Sequence, residues 1–257
     1  MKELSNAKIN LGLKIVGKEN GYHLLESKLI PISIYDEINI DISDKDEIIG
    51  MDIDINDNII YKAICKMRDR YGITDKYKVV IQKNIPQKAG LGGGSSNAAT
   101  TIKIINEIHN LNLSLEEMAE VGLSIGSDVP FFIYNKPSLV TGRGENIKPI
   151  ALYKKIYGVL VLDDMFFGTK EVYDTFDGLQ VDSDLINDLE LAARKLPGGY
   201  QIEEIEKNLL DNGAYLASLT GSGGAVFGLY YSEKEALEVA NKLNGKYSYV
   251  KPFESLS

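Results

Sequence analysis

The sequence predicts an α+β fold in two halves, and three features point to it. Strand-like and helix-like segments follow one another in a mixed order rather than as regular β–α repeats. A passage rich in glycine and polar residues, "TGRGENIKPIALYKK", separates two patterned halves near residue 150. The 257 residues are 44% hydrophobic and 25% charged, an ordinary globular composition able to bury a core.

Taken in order, "KINLGLKIV" and "YDEINIDI" alternate as strands do. "DNIIYKAICKMRDRYG" places apolar residues at 59, 60, 63, 64, 67 and 71 and stops at Gly72, the pattern of an amphipathic helix with a glycine end. "YKVVIQK" is the next strand. "SSNAATTIKIINEIHN" follows as a helix whose apolar face is Ala98, Ile102, Ile105 and Ile108, with Ser and Asn residues suited to its N-terminus. Ser114 and Glu117 have capping-box spacing before "LEEMAEVGLSIG". In the second half, "YGVLVL" is a buried strand, and two helices fall within 182–196 and 201–212. "GGAVFGLYY" is strand-like, Ser232 and Glu235 form a second capping box, and Gly245 ends that helix before "YSYV". A ligand cleft is expected between the halves, 1–150 and 151–257.

The net charge is −9. This argues against nucleic acid or an anionic membrane as partner but leaves an anionic small molecule open, because local donors outweigh the total charge there. The single cysteine, Cys65, allows no intrachain disulfide and no cysteine-built metal site, and its place in an apolar helical stripe suggests a small core residue. "MKELSNAKINLGL" lacks an apolar signal core and no run approaches a membrane span, so a cytoplasmic location is expected.

"AGLGGGSSNAATTI", residues 89–102, runs straight from four glycines into helix-forming sequence. Glycine lets backbone approach a ligand closely and adopt positive φ. Successive N–H groups can then converge on an anion, with a helix N-terminus behind them. Ser95 and Ser96 add hydroxyl groups, either as donors or as a ligand to phosphate-bound Mg²⁺. A structural turn before a helix accounts for the glycines equally well. The chain has no GxxxxGK[ST], and the glycines do not fit GxGxxG, which removes a Rossmann oxidoreductase.

"IPQKAGLGGGSSNAAT" resembles the phosphate loop of the GHMP small-molecule kinases, P-x3-GLG-x-SS-x-A. "NAKINLGLKIVG" and "LTGSGGAVFGLY" resemble that superfamily's N-terminal and C-terminal motifs, in the expected order. Within it, "GYHLLES", "DNIIYKA", "IGSDVPFF" and "TGRGE" are similar to the branch that phosphorylates cytidine diphosphate methylerythritol in non-mevalonate isoprenoid synthesis. The resemblance covers most of residues 5–230. It implies a two-domain GHMP kinase fold, with an N-terminal ribosomal protein S5 domain 2-like part that binds ATP and a C-terminal ferredoxin-like α/β plait. It also implies ATP with phosphate-borne Mg²⁺ rather than a protein-built metal site, a small-molecule acceptor, and a monomer or weak homodimer.

By the same resemblance, Asp128 in "GSDVPFF" is the catalytic base and Lys8 its partner, whose ammonium would hold the carboxylate ionised. Read without it, Lys8 is better taken as a solvated strand lysine and Asp128 as a loop or capping acid before Pro130. On a strand, Lys8 and Asn10 share one face and Ile9 and Leu11 the other. The resemblance assigns Pro86, Gln87, Lys88, Ala89, Gly90, Leu91, Gly92, Gly93, Gly94, Ser95 and Ser96 to the ATP phosphates, and Asn58 and Lys83 to the adenine pocket. Asn58 and Lys83 also read as a helix start and a strand end. Acceptor-side residues are Asn10, Tyr22, His23, Thr169 and Tyr173, with Gly221, Ser222 and Gly223 from the C-terminal loop. Tyr22 would stack on cytosine, His23 would bond its polar edge, and Tyr173 would cover its other face.

The family spells its early loop GKR-x-DGYH, whereas "GKENGYH" here is one residue shorter and lacks the arginine. Asp174 stands where a basic residue often follows Tyr173. The rival readings are a GHMP kinase acting on homoserine, mevalonate or a sugar, and a nucleotide sensor that keeps the fold without turnover. "GYHLLES" and "GSDVPFF" discriminate against the first, and the presence of both Lys8 and Asp128 against the second.

Overall fold

The computed structural model describes residues 1–179 and 184–257. The chain opens with two long antiparallel strands, β1 (Lys2–Glu19) and β2 (Tyr22–Ser43), joined at Asn20-Gly21 with both residues at positive φ. That is the conformation a tight hairpin requires. Three register shifts re-aim side chains along the hairpin: Ser33 and Ile34 of β2 are extra opposite Asn6 and Ala7, and Leu11 and Val16 of β1 are extra after Asn10 and Ile15. A short β3 (Glu47–Ile49) leads to α1 (Ile59–Tyr71) and β4 (Lys76–Gln82). α1 buries Ile60, Ala63, Ile64 and Met67 and ends at Gly72 with φ 66°, as its sequence predicts. Cys65 lies half-buried beside that stripe rather than in the core.

Next come α2 (Gly93–Ile108), α3 (Leu115–Leu123), the short α4 (Val129–Tyr134), β5 (Ser138–Gly142) and β6 (Asn146–Pro149). The Ser114–Glu117 box is complete at the start of α3. α2 starts earlier than its Ser and Asn residues suggest, with left-handed Gly92 (φ 69°) at the N-cap and no side-chain cap. The six strands form one sheet in the order β3-β4-β2-β5-β6, with β1 on the other side of β2. Its inner face packs on α1 to α4 around Ile38, Ile40, Tyr77, Ile102, Phe131 and their neighbours.

The second sheet has β7 (Tyr157–Leu162), β8 (Leu216–Leu219), β9 (Val226–Tyr230) and β10 (Tyr249–Glu254), antiparallel in the order β10-β7-β9-β8. Between β7 and β8 lie α5 (Thr169–Asp177), α6 (Leu189–Lys195) and α7 (Tyr200–Asp211), and α8 (Glu233–Leu243) precedes β10. This is the βαββαβ order of a ferredoxin-like plait. α6 and α7 occupy the two expected helical windows, although residues 182–183 of the first lie outside the described residues. At α8, Ser232 caps Glu235 N–H, but the Glu235 carboxylate accepts the Tyr231 N–H instead of closing the box on residue 232.

The two sheets meet through a third apolar cluster. Ala7, Ile9, Ile30 and Ile32 from β1 and β2 pack against Leu160, Phe227, Leu229 and Phe253 of the second sheet. The cleft opens at the edge of this seam. Its position is set because β1 alternates, with Ile9 buried in the seam and Lys8 and Asn10 directed into the cleft.

Candidate active site

The cleft is a cavity of about 500 Å³, a size typical of small-molecule sites. Its wall includes every phosphate-loop residue from Pro86 to Ser95, together with Lys8, Asn10, Lys83, Asp128, Thr169, Tyr173, Gly221 and Ser222. An apolar floor is supplied by side chains such as Leu25, Leu29, Met51 and Ile59.

Left-handed residues alternate at Lys88 (φ 55°), Gly90 (φ 79°) and Gly92 (φ 69°), an arrangement in which backbone N–H groups turn toward a common point. The first N–H of α2 to find an intrahelical acceptor is that of Ser96, on Gly92 O at 2.9 Å. The amides of Gly93, Gly94 and Ser95 precede it and have no intrahelical acceptor. All three residues line the cavity. The glycines are required by contact as well as by φ. A Cβ on Gly90 would lie 2.2 Å from Thr220 O, and one on Gly92 would lie 2.7 Å from Phe132 Cζ. Ser95 and Ser96 part company: Ser95 faces the cavity, whereas Ser96 is buried and its Oγ accepts a 2.8 Å hydrogen bond from Ser5 Oγ. A phosphate-contacting Ser96 side chain is therefore not what the structure offers.

Lys8 is 4% exposed. Its Nζ donates to Asn10 Oδ1 at 2.7 Å and to the Gly90 carbonyl at 2.5 Å, tying β1 to the phosphate loop. Burial pushes its pKa down, and the charge of Asp128 pushes it back up. The two side chains share one cavity without forming a direct ion pair. Asp128 holds the N-cap position of α4 but makes no side-chain capping bond there, with Pro130 in the first turn. Its carboxylate is left to the cavity rather than spent on the helix. Tyr173 stands close enough that its hydroxyl is pushed up to about 12, first by burial and then by the Asp128 charge.

Asn10 is fixed on every side. Its N–H donates to Thr220 Oγ1 (2.9 Å) and its Nδ2 to Ser27 Oγ (2.7 Å), which in turn donates to Gly12 O. Thr169 and Tyr173 are four residues apart on α5 and so share its cavity-facing side. Thr169 Oγ1 accepts from Ser222 Oγ at 3.1 Å. Asp174, next to Tyr173, is off the cavity and paired with Lys170 at 2.6 Å.

Several expected residues are elsewhere. Asn58 is the N-cap of α1: its Oδ1 accepts the Ile60 N–H and its Nδ2 reaches the Met51 sulfur, while Asp57 and Ile59 line the cavity. Lys83 does line it, but its ammonium is bonded to Asp36, which is fully buried and also accepts the Asn84 and Ile85 N–H groups. Gly223 is off the wall; a Cβ there would sit 2.0 Å from Gly90 N, so its glycine serves backbone packing between the two loops. Tyr22 is 54% exposed, off the cavity wall, and covered by the Arg143 guanidinium 3.9 Å from its ring centre. His23 Nε2 is bonded to Asp177 at 2.6 Å, and its ring centre lies 4.9 Å from that of Tyr173. His23 is also off the wall, and the expected bracket of the base between Tyr22 and Tyr173 is not formed here, because Tyr22 stands outside the cavity that Tyr173 lines.

Ser27, Thr220 and Asn187 were not marked by the sequence. Asn187 is fully buried, and its Nδ2 donates to the carbonyls of Leu219 and Gly221, holding the Gly221 loop against Lys8. Each stands beside other polar or glycine residues in the sequence, such as Glu26 and Lys28, Gly221, or Asp188, and only burial singles it out. No group of three or more His, Cys, Asp or Glu is arranged to hold a metal among the described residues. Among those residues, too, no helix is long and apolar enough to cross a membrane.

Comparison with known proteins finds relatives that span the whole chain. Residues 58–136 match the family of GHMP kinases N terminal domain, and residues 185–248 match GHMP kinases C terminal. The 4-diphosphocytidyl-2-C-methyl-D-erythritol kinase of Clostridium tetani is 36% identical, covering 97% of this chain and 98% of its own length. That of Thermodesulfovibrio yellowstonii is 35% identical over 93% of each chain. A crystal structure of 4-(cytidine 5'-diphospho)-2C-methyl-D-erythritol kinase superposes over the full length of both chains with a TM-score of 0.86 at 25% identity. The Methanococcus jannaschii mevalonate kinase, at 17% identity and TM-score 0.74, shares the fold. With a phosphate-loop cavity at the seam of its two sheets and relatives aligned from end to end, the chain belongs to the 4-diphosphocytidyl-2-C-methyl-D-erythritol kinase family within the GHMP kinases.

Proposed function

We propose that this chain transfers the γ-phosphoryl group of ATP to the 2-hydroxyl of 4-diphosphocytidyl-2-C-methyl-D-erythritol, giving the 2-phosphate, in non-mevalonate isoprenoid precursor synthesis. The observation that carries the reading is the pairing of an amide cradle at the start of α2 with an uncapped Asp128 carboxylate in one cavity. The loop from Pro86 to Ser95 holds the phosphates. The acceptor oxygen attacks the γ-phosphorus, the bond from phosphorus to the β–γ bridging oxygen breaks, and the acceptor proton passes to Asp128. Lys8 offsets charge as the phosphoryl group moves. Asn10, Thr169 and Ser222 orient the acceptor, and Tyr173 offers a face to its base.

Mg²⁺ would be held chiefly by phosphate oxygens, with the cavity-facing Ser95 hydroxyl as a further oxygen ligand. When bound, it neutralises phosphate charge. The halves 1–150 and 151–257 act as an ATP-binding part and an acceptor-closing part, in a cytoplasmic monomer or weak homodimer that needs neither nucleic acid nor membrane.

The test is incubation with Mg-ATP and the cytidine diphosphate methylerythritol alcohol, beside homoserine and mevalonate, followed by mass analysis. One added phosphoryl group on the cytidine compound alone is expected. Transfer only to another alcohol would keep the kinase chemistry and discard the acceptor.

A further inference from the structure

Asn187, Asp188, Leu189 and Glu190 are consecutive and all buried, although three of the four are polar. They stand where the chain turns into α6, and each polar side chain bonds the backbone of another element. The preceding run lies along the free edge of β1. Leu13 N–H donates to Ile186 O and Leu13 O accepts the Asp188 N–H, both at 2.9 Å, in parallel register. Asp188 already has helical backbone, so the next β1 amide on that edge, Ile15 N–H, meets its carboxylate at 2.9 Å. The other carboxylate oxygen takes the Lys14 ammonium at 2.8 Å.

On the opposite side, Asn187 Nδ2 donates to Leu219 O at 3.1 Å and to Gly221 O at 2.8 Å, while its Oδ1 accepts the Leu189 N–H. Both ends of the amide are engaged, a set of partners that neither aspartate nor alanine can satisfy. Glu190 adds a carboxylate oxygen that accepts the Leu219 N–H at 3.0 Å. Residues 185–190 therefore join β1 of the first sheet to the end of β8 and the Gly221 loop of the second. That loop touches the catalytic lysine: a Cβ on Gly221 would lie 3.2 Å from Lys8 Nζ and 3.4 Å from Asn10 Oδ1. Leu13 and Leu189, on either side of the joint, line the cavity themselves. Among the described residues, none of these bonds involves the phosphate loop. Apolar residues would fill the joint with equal or greater stability, so the polar set is best explained by the register it fixes.

We propose that residues 185–190 are a clasp that sets the acceptor side of the active site, with Asn187 and Asp188 as positioning residues for phosphoryl transfer that leave nucleotide binding alone. The proposal rests on the kinase reading for the reaction it tunes. Amide exchange reads the clasp without turnover, so a wild type that transfers no phosphoryl group would refute the kinase reading while the exchange result still decides the clasp.

Wild type, Asn187→Ala, Asp188→Ala, Asp188→Asn and Val239→Ala are compared within their folded range. Val239, on α8, belongs to the same apolar core as Leu189 but lines no part of the cavity, so its truncation lowers stability alone. The measurements are ADP affinity, Tm, hydrogen–deuterium exchange over residues 216–226, and the single-turnover rate with saturating Mg-ATP and the cytidine diphosphate methylerythritol alcohol. Asn187→Ala and Asp188→Ala are expected to transfer at least about tenfold more slowly, with ADP affinity within about twofold of wild type. Both should speed amide exchange in the Gly221 loop. Asp188→Asn keeps an acceptor for the Ile15 N–H and should recover most of the rate, and Val239→Ala should lose Tm but neither rate nor protection. Should Asn187→Ala not fold, the two Asp188 variants carry the test from the β1 side. Wild-type rates or wild-type exchange in the folded alanine variants overturn the proposal. So does a rate loss that Val239→Ala shares, an Asp188→Asn as slow as Asp188→Ala, or an ADP affinity that falls together with the rate.

Discussion

Asn58 shows how one side chain can be claimed by two roles. Its position in "DNIIYKA" suits an adenine pocket by resemblance, but its carbonyl caps α1 and its amide faces the Met51 sulfur. Asn58→Ala should therefore cost about 1 kcal/mol of stability, read as a lower denaturant midpoint, with KM for ATP changed less than twofold. A large rise in KM without lost stability would return the residue to the nucleotide. Lys103 gives a second measure at this scale. Its Nζ donates to Phe132 O at the end of α4, and burial lowers its pKa to about 8. Between pH 8 and 10.5 the unfolded chain holds a proton that the folded chain releases, so this group makes stability rise with pH across that window. Below pH 8 its cost is present in full. The rise, on the order of 3 kcal/mol, should be missing from Lys103→Met when denaturation midpoints are compared from pH 7.5 to 10.5; identical pH slopes would contradict it.

At the scale of elements, local signals with a mechanism were readable and positions fixed by the partner were not. Gly72 and the Ser114–Glu117 box mark real helix ends because their chemistry is complete within a few residues. α5 was hidden because "GTKEVYD" is short and polar, with Val172 its one fully buried residue. α4 has six residues, and β3, β5, β6 and β8 have three to five, too few for a period to register. The phosphate loop was legible as one contiguous stretch. Lys8 and Asp128, 120 positions apart in the sequence, came only through family resemblance, and the His23–Tyr173 contact depends on how α5 docks. Gly92 joins the local and tertiary demands, since a side chain there meets both a left-handed φ and the Phe132 ring. Gly92→Ala should cost at least about 2 kcal/mol in chemical denaturation and weaken ATP binding. Wild-type stability in that variant would show that the α2 N-terminus is less constrained than its contacts indicate.

Over the whole molecule, a chain of net charge −9 keeps three lysines and a run of backbone amides on the wall of one cavity. Local placement thus outweighs the total in choosing an anionic ligand. The two sheets share an apolar seam, so β1 can lend Ile9 to it while presenting Lys8 and Asn10 to the cleft, and the Gly221 loop of the second sheet closes against the phosphate loop of the first. Catalysis in this account requires both halves. Asp128→Asn probes it most directly, because asparagine keeps the shape at the start of α4 and removes the proton acceptor. With ATP affinity measured beside single-turnover phosphoryl transfer to the cytidine diphosphate methylerythritol alcohol, the predicted result is a rate lowered by about 10²- to 10⁴-fold with ATP binding within twofold of wild type. Transfer at a near wild-type rate would contradict the assignment of Asp128 as the base.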